Sequence, residues 1–566
     1  MKWLILILTL CLILFVGCGR NGSGNHDALI PLSTVTIMST VGSNAAGHGD
    51  AEWYAAIVRE QLGIELDFMH TAGVYMGQLV NALLASGDLP DILVLGGLAT
   101  TNNAAATGLL LNLDDYQNQL PNIFLNPMFD APLLFYRENA SGGREGLFAV
   151  PSSIGETNSL NYNIHLRWDI YQMIGAPPIH TLEDYLPVLR QMMDAYPVTE
   201  AGQPVWGISL FSDWDGFAMN MAHWIVSFNY GVDGEYVSTL LETPVDGSGL
   251  PVSILCDYSY YKRALQFFFD ANQMGVLDPD SITQNWDTLQ GKFNEGRVLM
   301  SPWQWAILGF NILENTDAVD FRGYAPVWAD DFTSMIFPDN PVGRDWAMSV
   351  SRNARDLDAA LRYMNWYFSF EATDLLMNGP QGVLWDIDQT GLRYRTAEGW
   401  RIIRDDAEMP GGGRLRRAFH ALNILAFSAE VINPAAPGQP LGSDYWESTM
   451  AFQPTRLEAD WRNHNDGYLN MLERGASTGQ TIKGHAALNM MPSMPHDMYM
   501  LAVRIGEVIR THSWQMVYAD NQESFDAMWR YMQDTAFAMG KQRIIDWTIY
   551  EFENALVNTG RFWVMP

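Results

Sequence analysis

The chain has 566 residues, of which 48% are apolar and 17% charged, so it is a folded protein of two or three domains and not a disordered one. Its formal net charge of −31 excludes nucleic acid and anionic lipid as partners, because both require a basic protein surface.

The first predicted element is a hydrophobic N-terminal segment. Lys2 precedes an apolar run, Trp3 to Val16, that has the length of a signal-peptide core and is short for a membrane-spanning helix. The run ends in Phe15-Val16-Gly17-Cys18, which resembles a bacterial lipobox, where a signal peptidase cuts before a lipid-modified cysteine. We therefore expect residues 1–17 to be a lipoprotein signal peptide and Cys18 to carry the lipid. The alternatives are an ordinary signal peptide and a buried hydrophobic segment.

Residues 18–33 are rich in Gly, Asn and Ser and are predicted to form a flexible tether. Two acyl chains hold a protein stably on a membrane, so the protein is expected outside the cell, anchored to the outer face of the cell membrane. Cleavage removes Cys11 and lipidation uses Cys18, which leaves Cys256 alone. The predicted fold therefore has no intramolecular disulfide and no cysteine metal site.

The first folded block alternates strands with helices. The strands are predicted at 34–40, 64–68 and 91–95, and the helices at 50–62, with Asp50 as its cap, and 75–86. This order predicts a parallel sheet with right-handed crossovers. Ligands of such sheets lie beyond the carboxyl ends of the strands, which are here residues 39–48, 69–75 and 96–101.

The second block begins after Pro151 and is also of mixed α/β character. Strands are predicted at 160–163, 206–211 and 298–300. Helices are predicted at 166–174, 182–195, 260–274, 286–295 and 356–376, with a capping box at Thr181 and Asp184 and a kink at Pro187. The chain from about Leu457 onward is predicted to be mostly helical.

Several short stretches, in this order, resemble the extracellular solute-binding proteins (family 1, carbohydrate type) of ABC importers, in their lipoprotein form. These stretches are Leu84–Ile92, Gly108–Asp114, Gly146–Pro151, Arg167–Asp169, Ile174–Tyr185, Asn294–Met300 and Met377–Gly382. The resemblance covers about residues 34 to 390.

The resemblance implies an α/β, two-lobed type II periplasmic-binding-protein fold with a helical C-terminal portion. Lobe 1 would comprise 34–152 and about 346–420, and lobe 2 about 153–345 and 421–566. It also implies the function: the lobes close by hinge bending around a sugar or oligosaccharide, and the closed form delivers it to the permease subunits. No cofactor is implied, and a monomer is expected.

Sugars present hydroxyl groups at their rim and C–H groups on their faces, so a sugar site needs aromatic rings beside polar side chains. Ser301-Pro302-Trp303-Gln304-Trp305 resembles the family's maltose binders at the stretch whose first Trp stacks on the sugar, which corresponds to Trp303. In an extended segment Trp305 would point the same way. The alternative is that both rings are core.

Further candidates follow from position and residue type. Asp213, Trp214 and Asp215 follow a predicted strand and combine an aromatic ring with two carboxylates, although a solvated turn explains them equally well. Tyr499 lies in a segment that resembles a cleft-lining part of the maltose binders. The remaining candidate ligand contacts are Asn44, Tyr75, Glu156, Asn158, Trp224 and Trp328.

Some relatives carry a calcium loop after the second-lobe helix that corresponds to residues 182–195. Residues 194–200 here lack the alternating oxygen ligands that calcium prefers, so no metal is predicted there.

The competing hypotheses are a surface glycan-active enzyme, a hydrolase or lyase, and a solute sensor that feeds a signalling kinase. The sequence contains no zinc-protease signature, serine-nucleophile elbow or phosphate-binding loop, so we expect a binder and not an enzyme. An uncharged oligosaccharide is the preferred ligand because the acidic chain does not attract uronates, and peptides are the alternative.

Overall fold

The computed structural model describes residues 32–41, 51–69, 76–160, 162–234, 237–238, 240–344, 346–436, 438–450, 452 and 454–562. The predicted signal peptide, Cys18, almost all of the tether, Asn44, Asp50 and Tyr75 lie outside the described residues.

The strands are, in chain order, β1 Ser33–Ser39, β2 Ile64–Phe68, β3 Ile92–Leu95, β4 Val150–Pro151, β5 His165–Arg167, β6 Val232–Asp233, β7 Leu241–Pro244, β8 Val252–Ser253, β9 Met300–Ser301, β10 Tyr324–Pro326, β11 Ser334–Ile336, β12 Ala347–Val350, β13 Trp385–Ile387, β14 Arg393–Arg395 and β15 Thr481–Lys483. The α-helices are α1 Glu52–Leu62, α2 Met76–Ser86, α3 Leu98–Ala106, α4 Pro121–Phe124, α5 Asp130–Asn139, α6 Trp168–Met173, α7 Tyr185–Ala195, α8 Asn220–Val226, α9 Tyr260–Gln273, α10 Trp286–Asn294, α11 Leu313–Thr316, α12 Leu357–Tyr367, α13 Phe370–Asn378, α14 Ala397–Asp405, α15 Leu415–Leu422, α16 Glu447–Met450, α17 Arg456–His464, α18 Met471–Thr478, α19 His496–Val517, α20 Gln522–Ala538 and α21 Gln542–Phe562.

The first lobe is built on the sheet β2-β1-β3-β12-β4. Strand β1 is parallel to β2 and β3, which confirms the predicted parallel arrangement, whereas β12 is antiparallel to β3 and β4. Ile37 and Val94 pack into the core on one face, and Met38 and Leu95 pack on the other. Burial on both faces explains the continuous apolar runs of these strands.

Asp91, just before β3, holds three parts of the first lobe together. Its Oδ2 accepts hydrogen bonds from the backbone N–H (2.8 Å) and the hydroxyl (2.7 Å) of Thr36, and its Oδ1 accepts one from the N–H of Arg355 (2.7 Å). The side chain is buried. Because a buried carboxylate needs such partners, this aspartate fixes the approach of β1, β3 and the start of α12.

The second lobe contains the sheet β10-β5-β9, which two extended segments continue. Residues 206–208 run parallel to 298–300, with the Trp206 N–H bonded to the Arg297 carbonyl at 2.8 Å. On their other side, Gly207 donates to the Val276 carbonyl at 3.0 Å. These three segments therefore end at the same edge of the lobe.

Local patterns predicted most elements but placed some boundaries wrongly. Gly63 ends α1 in the left-handed conformation (φ 66°), as expected, while Ala51 occupies the N-cap position. The strand predicted at 160–163 is instead an isolated bridge from Leu160 to Ile336, and the strand lies at 165–167. It replaces the first two residues of the helix predicted at 166–174, which is found at Trp168–Met173. The helix predicted at 356–376 is two helices, because the Ser369 side chain caps a new one.

The start of the helix predicted at 182–195 carries the predicted capping box. The side chains of Thr181 and Asp184 form the expected capping box. Helix α7 starts only at Tyr185, so Pro187 lies in its first turn and does not kink it, because no hydrogen-bonded N–H is needed there.

Three segments run side by side between the lobes. The first, residues 152–164, pairs with the second, residues 337–344, at Gly155 and Asn340, and with the third, 423–430, at Ile154 and Phe427. Ser448 still bonds to the Arg393 carbonyl in the first lobe, whereas Arg456 bonds to Asp317 in the second. The chain after the third crossing segment thus contacts the first lobe up to Ser448 and the second lobe from Arg456, and the lobe boundaries stay a prediction.

Helices α19, α20 and α21 form the predicted helical C-terminal portion. Helix α19 packs against α9 and α20, and α21 packs on residues 486–490 beside the hinge. The end of α21 reaches the first lobe, where the Phe562 ring meets Phe135 edge-on, with ring centroids 5.7 Å apart. None of the helices in the described part of the chain has the length and apolar character of a transmembrane span.

Candidate functional site

The second lobe presents a cluster of aromatic rings where its parallel segments end. Phe211 and Trp214 follow the segment 206–208, Trp303 and Trp305 follow β9, and Trp286 begins α10 shortly after the segment 276–278. Trp224 joins them from α8. We call these six residues the aromatic cluster. Since carboxyl ends of neighbouring parallel strands meet at one edge, the register of the sheet explains why distant parts of the sequence converge here.

The rings of the aromatic cluster touch one another in several geometries. The centroids of Trp214 and Trp286 are 4.6 Å apart, and those of Trp303 and Trp305 are 5.4 Å apart, both pairs inclined at 31°. Trp224 meets Trp303 nearly at right angles, at 88° and 4.9 Å. Such inclined and edge-to-face contacts are the favourable geometries for aromatic side chains, so the cluster is a rigid surface.

Exposure increases across the aromatic cluster. Trp303 is 0% exposed and Trp224 is 8% exposed, whereas Trp214 is 36% exposed. Trp286 and Trp305 lie between these limits. Trp214 therefore offers a ring to a ligand in this structure, and Trp303 supports it from beneath.

Unpaired polar atoms accompany the buried rings. The indole nitrogens Nε1 of Trp224 and Trp303 and the amide oxygen Oε1 of Gln304 are buried and have no hydrogen-bond partner among the described residues. Buried polar atoms in folded proteins are almost always paired, and leaving one unpaired costs about 1–3 kcal/mol. Three such atoms within or next to one aromatic cluster indicate a place where a hydroxyl-bearing molecule or water completes the hydrogen bonding.

The two carboxylates predicted beside Trp214 are used by the fold. Asp213 accepts a hydrogen bond from the backbone N–H of Trp286 at 2.8 Å, which holds α10 against the aromatic cluster. Asp215 accepts one from the Trp514 indole at 2.7 Å and one from the Asn220 N–H at 2.9 Å. Burial raises the pKa of Asp215 to about 6 although these donors oppose the shift. Both aspartates therefore position the loop that carries Trp214.

A cavity of about 190 Å³ lies at the hinge, lined by all three crossing segments. An aromatic path joins it to the cluster: Tyr162 packs on Trp224 with centroids 5.2 Å apart and on the cavity-lining Phe337 at 6.2 Å. Lys483 bonds to Asp339 at 2.9 Å and so ties strand β15 to the second crossing segment. The hinge cavity and the aromatic cluster thus lie along one side of the second lobe.

The other predicted contact residues lie in different places. Glu156 and Asn158 are exposed on the first crossing segment, and the Asn158 N–H donates to Glu430 at 2.7 Å. Tyr499 is partly exposed on α19, and its ring meets Phe217 at 5.6 Å. Trp328 is buried, beside Gly475 and away from the aromatic cluster. Asn44 and Tyr75 lie outside the described residues, and all these positions stay predictions as ligand contacts.

Sequence reasoning missed Trp286, Gln304 and Glu430. Trp286 could have been found, because the segment before it ends at the same sheet edge as the segments before Trp214 and Trp303. Gln304 stands between two predicted rings. Glu430 had no local signal, since its position at the cavity depends on how the third crossing segment lies against the first.

A sequence profile for the bacterial extracellular solute-binding proteins matches residues 46–374. The chain belongs to that family. It is therefore the solute-binding component of an ABC transporter and is extracellular and non-catalytic. Among curated proteins, none matches this chain.

Solved structures show the same fold for this solute-binding protein at low sequence identity. The alginate-binding protein AlgQ2, solved without calcium ion, is 13% identical with a TM-score of 0.62, covering 93% of this chain and 98% of that one. An EF-hand mutant of the Streptococcus pneumoniae substrate-binding protein FusA in complex with fructo-nystose is 14% identical with a TM-score of 0.61, covering 93% and 100%. An HMO binding, ABC-transporter-associated solute-binding protein from Bifidobacterium longum infantis is 16% identical with a TM-score of 0.54, covering 92% of this chain and 98% of that one.

Proposed function

We propose that this solute-binding protein captures an oligosaccharide between its lobes. The observation that carries the proposal is the aromatic cluster, in which the Trp214 ring, 36% exposed, packs against the rings of Trp224 and Trp303, whose buried indole nitrogens have no partner among the described residues. A sugar offers both complements: C–H faces that stack on a ring and hydroxyl oxygens that accept from an indole N–H. Similar solved structures are of an alginate-binding protein, of a substrate-binding protein in complex with fructo-nystose and of an HMO binding protein, and they support the same ligand class.

The hinge supplies the mechanism. The lobes are joined by hydrogen-bonded crossing segments. An oligosaccharide that contacts both lobes binds the closed arrangement more tightly than the open one, and this difference in affinity stabilises the closed arrangement. Trp214 and Trp305 belong to the second lobe, so the first lobe must supply the opposing contacts. Its strands β1, β2 and β3 end at residues 39, 68 and 95, and the predicted contacts Asn44 and Tyr75 come after the first two.

The protein is further proposed to act as a lipid-anchored component that delivers its sugar to permease subunits. The motif ending in Cys18 and the Gly-, Asn- and Ser-rich tether support the anchor. Metabolic labelling with a radioactive fatty acid tests it: the wild-type chain should incorporate label, and a Cys18→Ser chain should not. Equal labelling of both chains would refute lipidation at this residue.

Binding is tested by calorimetry and thermal unfolding with a panel of oligosaccharides of different length and linkage. We expect saturable binding, a higher melting temperature with ligand and no change in the sugar itself. The matched peptide panel is the control, because peptides lack the alternating C–H faces and hydroxyl rims. Binding of peptides with no response to any sugar would contradict the proposal, and so would the release of shorter sugars on chromatography.

A further inference from the structure

Glu430 is a half-buried carboxylate at the hinge whose two oxygens have different surroundings. Its Oε1 accepts hydrogen bonds from the Asn158 N–H (2.7 Å), the Ser159 hydroxyl (2.7 Å) and the Tyr445 hydroxyl (2.9 Å). These donors come from the first crossing segment and from the chain that follows Glu430. They hold the carboxylate in one orientation and satisfy one of its oxygens.

The second oxygen, Oε2, receives no hydrogen bond from the part of the chain that the structure describes. Glu430 lines the hinge cavity, whose volume of about 190 Å³ is roughly six times the share of one water molecule in the liquid. Asn340 and Asn489, which also line it, are hydrogen-bonded to each other. The cavity therefore contains a fixed anionic acceptor with lone pairs available.

Among the described residues that line the cavity, Arg344 is the only other charged one. Its guanidinium stacks on the Trp346 ring, 4.5 Å from the centroid. Glu430 is held by other contacts, the donors from the first crossing segment and from Tyr445. A ligand carboxylate beside Oε2 would thus meet a fixed negative charge.

We propose that Glu430 accepts hydrogen bonds from hydroxyl groups of a neutral oligosaccharide and disfavours uronate-containing ones. The inference rests on the proposed function and adds the charge class of the ligand. Hydroxyl-to-carboxylate bonds are short and about twice as strong as bonds between neutral groups, because the acceptor is ionised. A ligand carboxylate near Oε2 would be repelled instead, and water would separate the two charges.

The test compares neutral oligosaccharides with counterparts in which one sugar is a uronate, by calorimetry at pH 7. The wild-type protein should bind the neutral member at least tenfold more tightly. In Glu430→Gln the amide keeps the shape of the side chain, but affinity for the neutral member should fall at least tenfold, and the neutral preference should shrink. Glu60→Gln, which removes an exposed carboxylate from α1, is the matched control and should bind like the wild type.

Each outcome separates the two proposals. If the wild-type protein binds no sugar of either kind, the proposed function fails. If it binds sugars but Glu430→Gln keeps the same affinity and selectivity in a folded protein, the role of Glu430 is refuted and the function stands. Should the variant not fold, the wild-type comparison decides alone: equal or tighter binding of the uronate member overturns the inference.

Discussion

Arg561 and Glu138 form a two-pronged ion pair, with N–O distances of 2.6 and 3.1 Å, although 423 positions separate them in the sequence. Beside this pair the Phe562 ring packs on Phe135, and both rings are buried, at 6% and 5% exposure. The last turn of α21 thus attaches a helix of the second lobe to α5 in the first. The ion pair and the ring contact lie side by side, and they should contribute unequally to the free energy of unfolding.

We expect Phe562→Ala to lower the free energy of unfolding by about 3 kcal/mol, since it removes a buried ring. Arg561→Gln should lower it by at most about 1 kcal/mol, because both partners are substantially exposed and salt screens them. Denaturant unfolding at 0.05 and 1 M salt checks both values. A larger effect for Arg561→Gln than for Phe562→Ala would contradict this order.

Trp214 is the ring most available to a ligand. Trp214→Ala should weaken oligosaccharide binding by about 1–3 kcal/mol, because stacking and apolar burial are lost. The free energy of unfolding should change less, since the ring is already 36% exposed. Calorimetry measures the affinity, and Trp547→Ala, on α21 and outside the aromatic cluster, is the control that should bind normally. Undiminished affinity in Trp214→Ala would remove this residue from the ligand site.

Trp303 allows packing and hydrogen bonding to be separated. Trp303→Ala should lower the free energy of unfolding by about 3–5 kcal/mol, because the ring is fully buried among other rings. Trp303→Phe keeps most of the packing but lacks the unpaired indole N–H, so it should cost less stability. If that N–H donates to a sugar hydroxyl, Trp303→Phe weakens binding by about 0.5–1.5 kcal/mol. Unchanged affinity would confine Trp303 to a supporting role.

Two buried carboxyls make stability depend on pH. Burial raises the pKa of Asp215 to about 6 and that of Glu242 to about 7, although each accepts two hydrogen bonds. Because unfolded carboxyls titrate near pH 4, the folded protein alone keeps these protons above that pH. Their contribution to stability is therefore present at low pH and declines as the pH rises from about 4 through 6 and 7.

Replacing either carboxyl by its amide removes its share of this decline of stability with rising pH. Relative to the wild type, the stability of each variant should increase with pH from about 4, levelling off near pH 6 for Asp215→Asn and near pH 7 for Glu242→Gln, even if each variant is less stable throughout. Glu60→Gln, in an exposed position, should follow the wild-type curve. Thermal unfolding at several pH values supplies the comparison. Parallel curves for all four proteins would show that neither carboxyl is protonated in the folded state.

The sequence predicted what local patterns determine. The strands β1, β2 and β3 and helix α1 with its Gly63 end were found because each is a periodic run bounded by a cap or turn residue. The boundary at Ser369 was missed although its signal was present, since the apolar periodicity continues across the cap. The strand at 165–167 could not be located, because its pairing with β9 and β10 depends on residues far along the chain.

The site was predicted in part for the same reason. Trp214, Trp303 and Trp305 were candidates because each follows a strand, and the structure brings all three together with Trp286. Their relative burial could not be inferred, as it depends on which neighbour covers which ring. The acceptor Oε2 of Glu430 was equally out of reach, because the donors to Oε1 include Asn158 and Ser159, more than 270 positions earlier.

The position of β12 in the first sheet has a consequence for synthesis and export. Strand β12, at 347–350, lies between β3 and β4 in the sheet. Strand β4, at 150–151, therefore cannot pair with β12 until the ribosome has also made the intervening residues 152–346. A domain made of one continuous stretch of chain can fold while it leaves the ribosome, whereas the sheet of the first lobe is complete only after β12 has been made. An extracellular protein must cross a membrane before it folds, and a first lobe that stays incomplete until β12 has been made favours that order of events.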